Sequence, residues 1–213
     1  MGDQSSVVSR ADLEREQAAE EYQRAAEPLL AELAQIGFPV QTVGELYQGK
    51  LNYKAAIPVL LRWLPNIRNR YVQDDVVRAL TVRWARPIAA PVLLRMFDQI
   101  DDPTGTGLKW TVANALSVVA DDSVFDQIVA LATDKTNGQS REMLTVTLGN
   151  MKNPYAVDVL ISLLSDDEVA GHALIGLGKL KAQRARPLIE SFLGHPKLWV
   201  RKEAQKALGK LDR

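Results

Sequence analysis

Apolar residues recur along this chain in short stripes at helical spacing, and the stripes come in pairs. Over residues 187–193 they fall at 188, 189, 192 and 193, the i, i+1, i+4, i+5 pattern of a helix with one buried face. Gly194-His195-Pro196 interrupts the run, because glycine accepts a left-handed cap and proline cannot continue a helix. A second stripe follows at Val200, Ala204, Ala207, Leu208 and Leu211. Two such helices cannot bury both apolar faces alone and need copies stacked beside them. The same reading predicts paired helices over 53–64 and 72–84, 87–100 and 108–120, 123–133 and 140–151, and 154–164 and 169–181. Upstream, a long helix from 11 carries Tyr22, Ala26, Leu29, Leu30, Leu33 and Ile36 on one face and closes at Gly37-Phe38-Pro39. Thr42 reads as the cap of a short helix over 43–48.

The pairs keep a register. Central leucines of the second helices fall at Leu80, Leu116, Leu148, Leu177 and Leu208, with spacings of 36, 32, 29 and 31. A period near 30 built from two helices and no strands predicts a helical solenoid; a globular bundle, the competing architecture, needs no recurring motif. The expected fold class is therefore all-α, a right-handed α–α superhelix of about five helical hairpins plus an N-terminal helical cap. The expected organisation is a disordered stretch over 1–10, a cap of degenerate repeat over 11–52, and a repeat domain over 53–213. Prolines 28, 58, 91 and 187 share a sequence context. Each either kinks a helix from within or opens one at low cost, and the recurrence argues for one shared geometry.

The run Val200-Arg201-Lys202-Glu203-Ala204-Gln205-Lys206-Ala207-Leu208-Gly209-Lys210-Leu211 resembles the second helix of a HEAT repeat, of the short variety also called phycobilisome-lyase HEAT-like repeats. Leu148-Gly149 and Leu177-Gly178 repeat its Leu-Gly ending, whereas the repeats at Leu80 and Leu116 lack the glycine. The resemblance covers residues 53–211, with 11–49 as a degenerate cap. It implies the fold, and it says almost nothing about a biochemical task.

Composition narrows the picture. Hydrophobic residues make up 46% of 213 and charged residues 24%, which excludes wholesale disorder. No apolar run approaches the roughly 18 residues of a membrane span, and no membrane association is expected. Cysteine is absent, so disulfides and thiolate sites are excluded. The N-terminal sequence lacks a signal-peptide layout, so a cytoplasmic location is the expectation. Met1-Gly2 with Ser6 formally fits a myristoylation pattern, but Asp3 and the lack of a polybasic second signal argue against it. Net charge is zero yet blocked: 4 basic and 9 acidic residues over 1–50, 8 and 3 over 51–100, 5 and 11 over 101–180, and 9 and 3 over 181–213. Alternating blocks fit a protein partner better than the continuous basic stripe of a nucleic-acid binder.

Candidate chemistry is sparse. His172 and His195 stand alone, with no HExxH or Cys pair, so no metal, cofactor or catalytic residue is assigned. This departs from the HEAT-like metalloenzyme deoxyhypusine hydroxylase, whose iron is held by repeated His-Glu pairs. Gly105-Thr106-Gly107 reads as a flexible connector, and Gly176-Leu177-Gly178-Lys179 lacks the spacing and strand of a phosphate loop. Asp101/Asp102, Asp121/Asp122 and Asp166/Asp167 sit at helix boundaries, where capping explains them. Lys109, Arg141 and Arg201 each lie seven residues before a central leucine. In HEAT-like repeats a basic residue there commonly bonds an aspartate of a neighbouring turn, which makes Asp102, Asp134 and Asp166 expected partners. Trp63 and Trp199 read as core or staple residues, and Trp84 lies near Arg83 and Arg86.

The remaining signal is angular. At ~100° per residue, offsets −6 and −2 from each central leucine point away from the core. The two end repeats are polar there, while the middle three offer Trp110, Val146 and Ile175. Rimmed by polar and charged groups, such a strip has the composition of an interaction site. The expectation is a non-catalytic protein-binding scaffold or adaptor, monomeric or weakly self-associating. Its partner is placed on the concave face over Arg78, Trp110, Asn114, Glu142, Val146, His172, Ile175, Lys202 and Lys206. Alternatives in view are a HEAT-like DNA glycosylase, a bilin-lyase-type subunit, and, within the binding class, a bacterial immunity or chaperone-like protein. The acidic block over 101–180 opposes the glycosylase because it repels phosphate.

Overall fold

The computed structural model describes residues 9–49 and 51–213; most of the stretch expected to be disordered, residues 1–8, lies outside them. Among the described residues the secondary structure is helical throughout, with twelve α-helices and short 3-10 turns. None of these helices is long and apolar enough to cross a membrane. Contacts divide the chain into two compact units, one ending at Ala79 and the other running from Leu80 to Arg213.

The first unit opens with α1 (Arg10–Gln35). A capping box starts it: Ser9 Oγ accepts from the Asp12 amide at 3.2 Å, and the Asp12 carboxylate accepts from the Ser9 amide. Helix α2 (Gly44–Gln48), α3 (Ile57–Trp63) and all but the last residue of α4 (Arg70–Leu80) complete it. Ala26, Leu29 and Leu33 are buried on α1, and α3 packs against that helix. Long-range side-chain bonds set the spacing. The Glu32 carboxylate accepts from Trp63 Nε1 at 2.7 Å and pairs with Arg62. Asp75 takes two phenols at 2.7 Å each, Tyr22 from α1 and Tyr47 from α2. Burial, followed by the bond to Asp75 and its charge, pushes the Tyr47 hydroxyl up to about 12, so both phenols stay protonated donors.

The second unit holds four hairpins. They pair α5 (Ala90–Gln99) with α6 (Leu108–Val119), α7 (Phe125–Thr133) with α8 (Arg141–Leu148), α9 (Ala156–Leu163) with α10 (Ala170–Lys179), and α11 (Arg186–Ser191) with α12 (Leu198–Leu211). The second helices also pack in succession, α6 on α8, α8 on α10 and α10 on α12. Leu116, Leu148 and Leu177 are fully buried between them, each contributing about 2 kcal/mol of hydrophobic transfer. Close approach depends on glycine: a Cβ built on Gly149 would lie 2.4 Å from the Gly176 Cα, and one on Gly178 would lie 2.8 Å from the Ala207 Cα.

Arg141 joins one hairpin to the next. Its side chain is 1% exposed, donating to the Ala132 carbonyl at 2.9 Å, Asp166 at 2.6 Å and Glu168 at 2.9 Å. Burial, the largest single influence, raises the Asp166 carboxyl, but the bond from Arg141, the Glu168 amide and the charges of Arg141 and Lys135 together outweigh it and hold the group below its usual range. The expected link to Asp166 is therefore present. Lys109 behaves differently, with its ammonium over the Phe97 ring at 4.9 Å, and Arg201 donates to the carbonyls of His195 and Pro196.

Other expectations need correction. Helix α4 ends at Leu80 instead of running to 84, because Val82 turns extended and Trp84 lies in a 3-10 turn over Arg83–Ala85. The prolines do not share one geometry. Pro58, Pro91 and Pro187 open α3, α5 and α11, whereas Pro28 sits inside α1, where it deprives the Arg24 carbonyl of a donor. The loop around Gly105 is no loose connector. Asp102 accepts from the amides of Gly105 and Gly107, Thr104 O accepts from the Gln139 amide at 2.9 Å, and Gly105 is buried. Its φ of +64° and the Asn137 carbonyl 2.3 Å from where a Cβ would sit both require glycine.

Candidate functional site

Because the second helices of the second unit pack in succession, residues at one offset from the central leucines form rows. One row runs Trp110, Glu142, Gly171 and Lys202, the other Asn114, Val146, Ile175 and Lys206. Trp110, Asn114, Glu142, Val146, His172 and Ile175 are all half-buried, while Lys202 and Lys206 are exposed. Arg78 belongs to the first unit, exposed on α4 and paired with Asp74 one turn away. Within the second unit, His172 and Glu142 are brought together, Nε2 to Oε2 at 3.9 Å.

The row has a gap at Gly171, and a neighbour fills it. A Cβ there would lie 2.0 Å from the Trp199 ring, so the indole lies directly over the glycine. Trp199 stays 41% exposed, with its ring centroid 5.3 Å from that of His172 and the planes tilted by 53°. It is a wall of the site, and the core or staple role expected for it is not what the fold uses. His195 also differs from the solvated loop residue expected: it stacks on Phe192 at 5.7 Å and its Nδ1 accepts from the Lys197 amide.

Electrostatics sharpen the site. Burial pushes the Glu142 carboxyl above its usual range, a bond with Gln139 opposes this, and the charge of Glu168 adds to it. No lysine or arginine among the described residues lies within ion-pair distance of Glu142. Burial lowers His172 below its ordinary 6.5, against the charge of Glu203, so the imidazole is neutral at pH 7. Its Nδ1 is buried without a hydrogen-bond partner. Glu203 accepts from Lys206 at 2.6 Å on its own helix. An apolar strip, an uncompensated half-buried carboxylate and an indole wall together suit a side chain with an apolar stem and a cationic head.

Sequence reasoning missed Trp199, Glu203 and a polar ladder beside the rows. In that ladder Lys179 Nζ donates to Asn150 Oδ1 at 2.9 Å, and Asn150 Nδ2 donates to the Ser117 carbonyl at 2.8 Å. The available signal for Trp199 was the glycine at an otherwise side-chain-bearing row position, followed by a tryptophan in the next repeat. Clefts lie elsewhere as well. One of about 500 Å³ sits between α5 and α7 over Leu94, Val124 and Leu131, and one of about 390 Å³ in the first unit lies beside Tyr22, Tyr71 and Asp75. Among the described residues no three His, Cys, Asp or Glu side chains are grouped to hold a metal ion.

The arrangement defines a helical repeat protein of the α-solenoid class, and comparison with known proteins agrees. Residues 165–213 match the family of HEAT repeats. Among solved structures, a designed armadillo repeat protein, YIII(Dq.V1)4CPAF in complex with the peptide (KR)4, aligns with a TM-score of 0.52 and 17% identity, covering 90% of this chain and 99% of its own. No curated protein matches the chain. The chain thus has an α-solenoid fold, and residues 165–213 are similar to HEAT repeats.

Proposed function

We propose that the chain is a non-catalytic protein-binding module, and that the second-helix rows of its second unit receive a segment of a partner protein. The observation that carries this is the half-buried strip of Trp110, Val146 and Ile175 beside Glu142, a carboxylate that burial disfavours and no cation compensates. A basic side chain of the partner relieves that imbalance, with Trp199 supporting its stem. The designed armadillo repeat protein of similar fold is in complex with a (KR)4 peptide, which makes a basic segment the first probe. Duplex DNA is not an expected ligand, since residues 101–180 carry 5 basic and 11 acidic side chains.

Fluorescence anisotropy with labelled (KR)4 at about 50 mM salt tests the reading, with an acidic peptide as control. Saturable binding of the basic peptide is expected. Trp110→Ala should weaken it about thirtyfold, ~2 kcal/mol, with little change in Tm, and Glu142→Gln should weaken it and flatten its salt dependence. Absence of saturable binding up to about 1 mM, a range that spans weak specific complexes, overturns the proposal. So does binding that both variants leave unchanged.

A further inference from the structure

The last hairpin keeps stacking chemistry that earlier hairpins use up. On α8, which packs on α10, the residues at offsets −7, −3 and 0, Arg141, Thr145 and Leu148, are all buried, as are Ala170, Leu174 and Leu177 on α10, which packs on α12. The same stripe on α12 is open: Arg201 and Leu208 are half-exposed and Gln205 is exposed. Arg201 holds the register position of Arg141, yet no carboxylate among the described residues pairs with it. The first helices repeat the contrast. Aligning the runs at 156–164 and 185–193 sets Leu164, 7% exposed, against Leu193, 41% exposed, and Val159 against Leu188, 45% exposed. This face therefore presents leucines and a linking arginine at positions that the preceding hairpins bury.

We propose that this face is a self-association surface, and that its occupant is the N-terminal part of α1 from a second copy of the chain. Charge selects the occupant. Residues 181–213 carry 9 basic and 3 acidic side chains, so the face repels its own copy and a tail-to-tail dimer is disfavoured. The first turns of α1 are exposed along 10–17 and carry Leu13 at 48% exposure. Glu16 and Glu20 follow at i+3 and i+7 on the same helix face, and neither has a cationic partner among the described residues. Leu13 meets the open leucines, and the two glutamates supply to Arg201 what Asp166 and Glu168 supply to Arg141. The contact is head-to-tail, so it adds copies without closing at two unless a ring forms.

Sedimentation velocity of the full chain between about 10 and 300 μM, concentrations suited to a weak contact, tests this at low salt. The weight-average mass should climb past twice 23.6 kDa with concentration and fall back at high salt. Leu193→Glu, at an exposed position, should return the chain to monomer with its melting curve unchanged. Two charge-reversed variants, Glu16→Lys with Glu20→Lys, and Arg201→Glu with Gln205→Glu, should each remain monomeric alone and assemble when mixed. Folding of each is checked by its helical circular dichroism. A chain that stays monomeric throughout, a closed dimer indifferent to Leu193→Glu, or reversed variants that fail to assemble when mixed overturns the proposal. None of these outcomes bears on peptide binding at Trp110 and Glu142, which is read separately.

Discussion

The two units solve the same problem, holding amphipathic helices side by side, with different chemistry. In the first, polar bonds reach across long sequence separations: two phenols meet on Asp75, and an indole and a guanidinium meet on Glu32. In the second, the second helices approach until glycine is the tolerated residue, and a buried arginine ties one hairpin to the next. The difference teaches what register does. Where a motif recurs, the same small residue can serve each interface. Where it does not, individual side chains must specify each contact.

The largest expected effect falls on the second unit. Arg141→Leu removes the cation from a buried cluster and leaves Asp166 charged in a half-buried setting, so it should cost about 3–5 kcal/mol in urea unfolding followed by circular dichroism. Arg201→Leu, at the matching but open position, should cost less than about 1 kcal/mol, in the range of exposed interactions. Equal costs would break the comparison between filled and open repeat links. Next comes Asp75→Ala in the first unit, which strands two phenols and should cost about 2 kcal/mol; conversion of both tyrosines to phenylalanine in the same background should recover part of it. Gly149→Ala should cost about 1–3 kcal/mol through overpacking against Gly176, while Gly209→Ala, with open space around it, should be neutral or slightly stabilising.

The smallest effect is a pH dependence. His172 titrates below its ordinary 6.5 in the folded chain because burial disfavours its charged form. A group with a depressed folded pKa contributes stability that is present above the unfolded value and lost as pH falls through the folded one. The Tm should therefore decline as pH drops below about 6.5, the unperturbed histidine value, and His172→Gln should flatten that part of the decline. Glu142 acts in the opposite sense at lower pH: its raised carboxyl favours folding while protonated and loses that contribution as pH rises through its folded value.

Much of the fold was legible because its signals are local. The leucine register marks the second helices, and Arg141 was readable as a repeat link through the resemblance to HEAT-like repeats, in which a basic residue seven before the central leucine commonly bonds a neighbouring aspartate. The end of α4 was misread because the apolar pattern continues through Val82 and Trp84 while the backbone turns extended. The connector at Gly105 was misread because glycine signals freedom in sequence but marks a close backbone contact in the fold. Trp199 was taken for a core or staple residue because its helix position allows either, and its own helix does not reveal that the preceding repeat has a gap at Gly171.

By itself, then, the sequence determined an all-helical repeat architecture, since amphipathic period, proline and glycine breaks and leucine register act within one or two hairpins. Tertiary structure decided the rest: the 3.9 Å approach of His172 to Glu142, the indole laid over Gly171, and the linking stripe left open on α12. Each depends on which residue of the adjacent repeat faces a given position and how closely two helices pass. Periodicity names the face a residue occupies, but only the packed neighbour sets its burial, its charge balance and its partner.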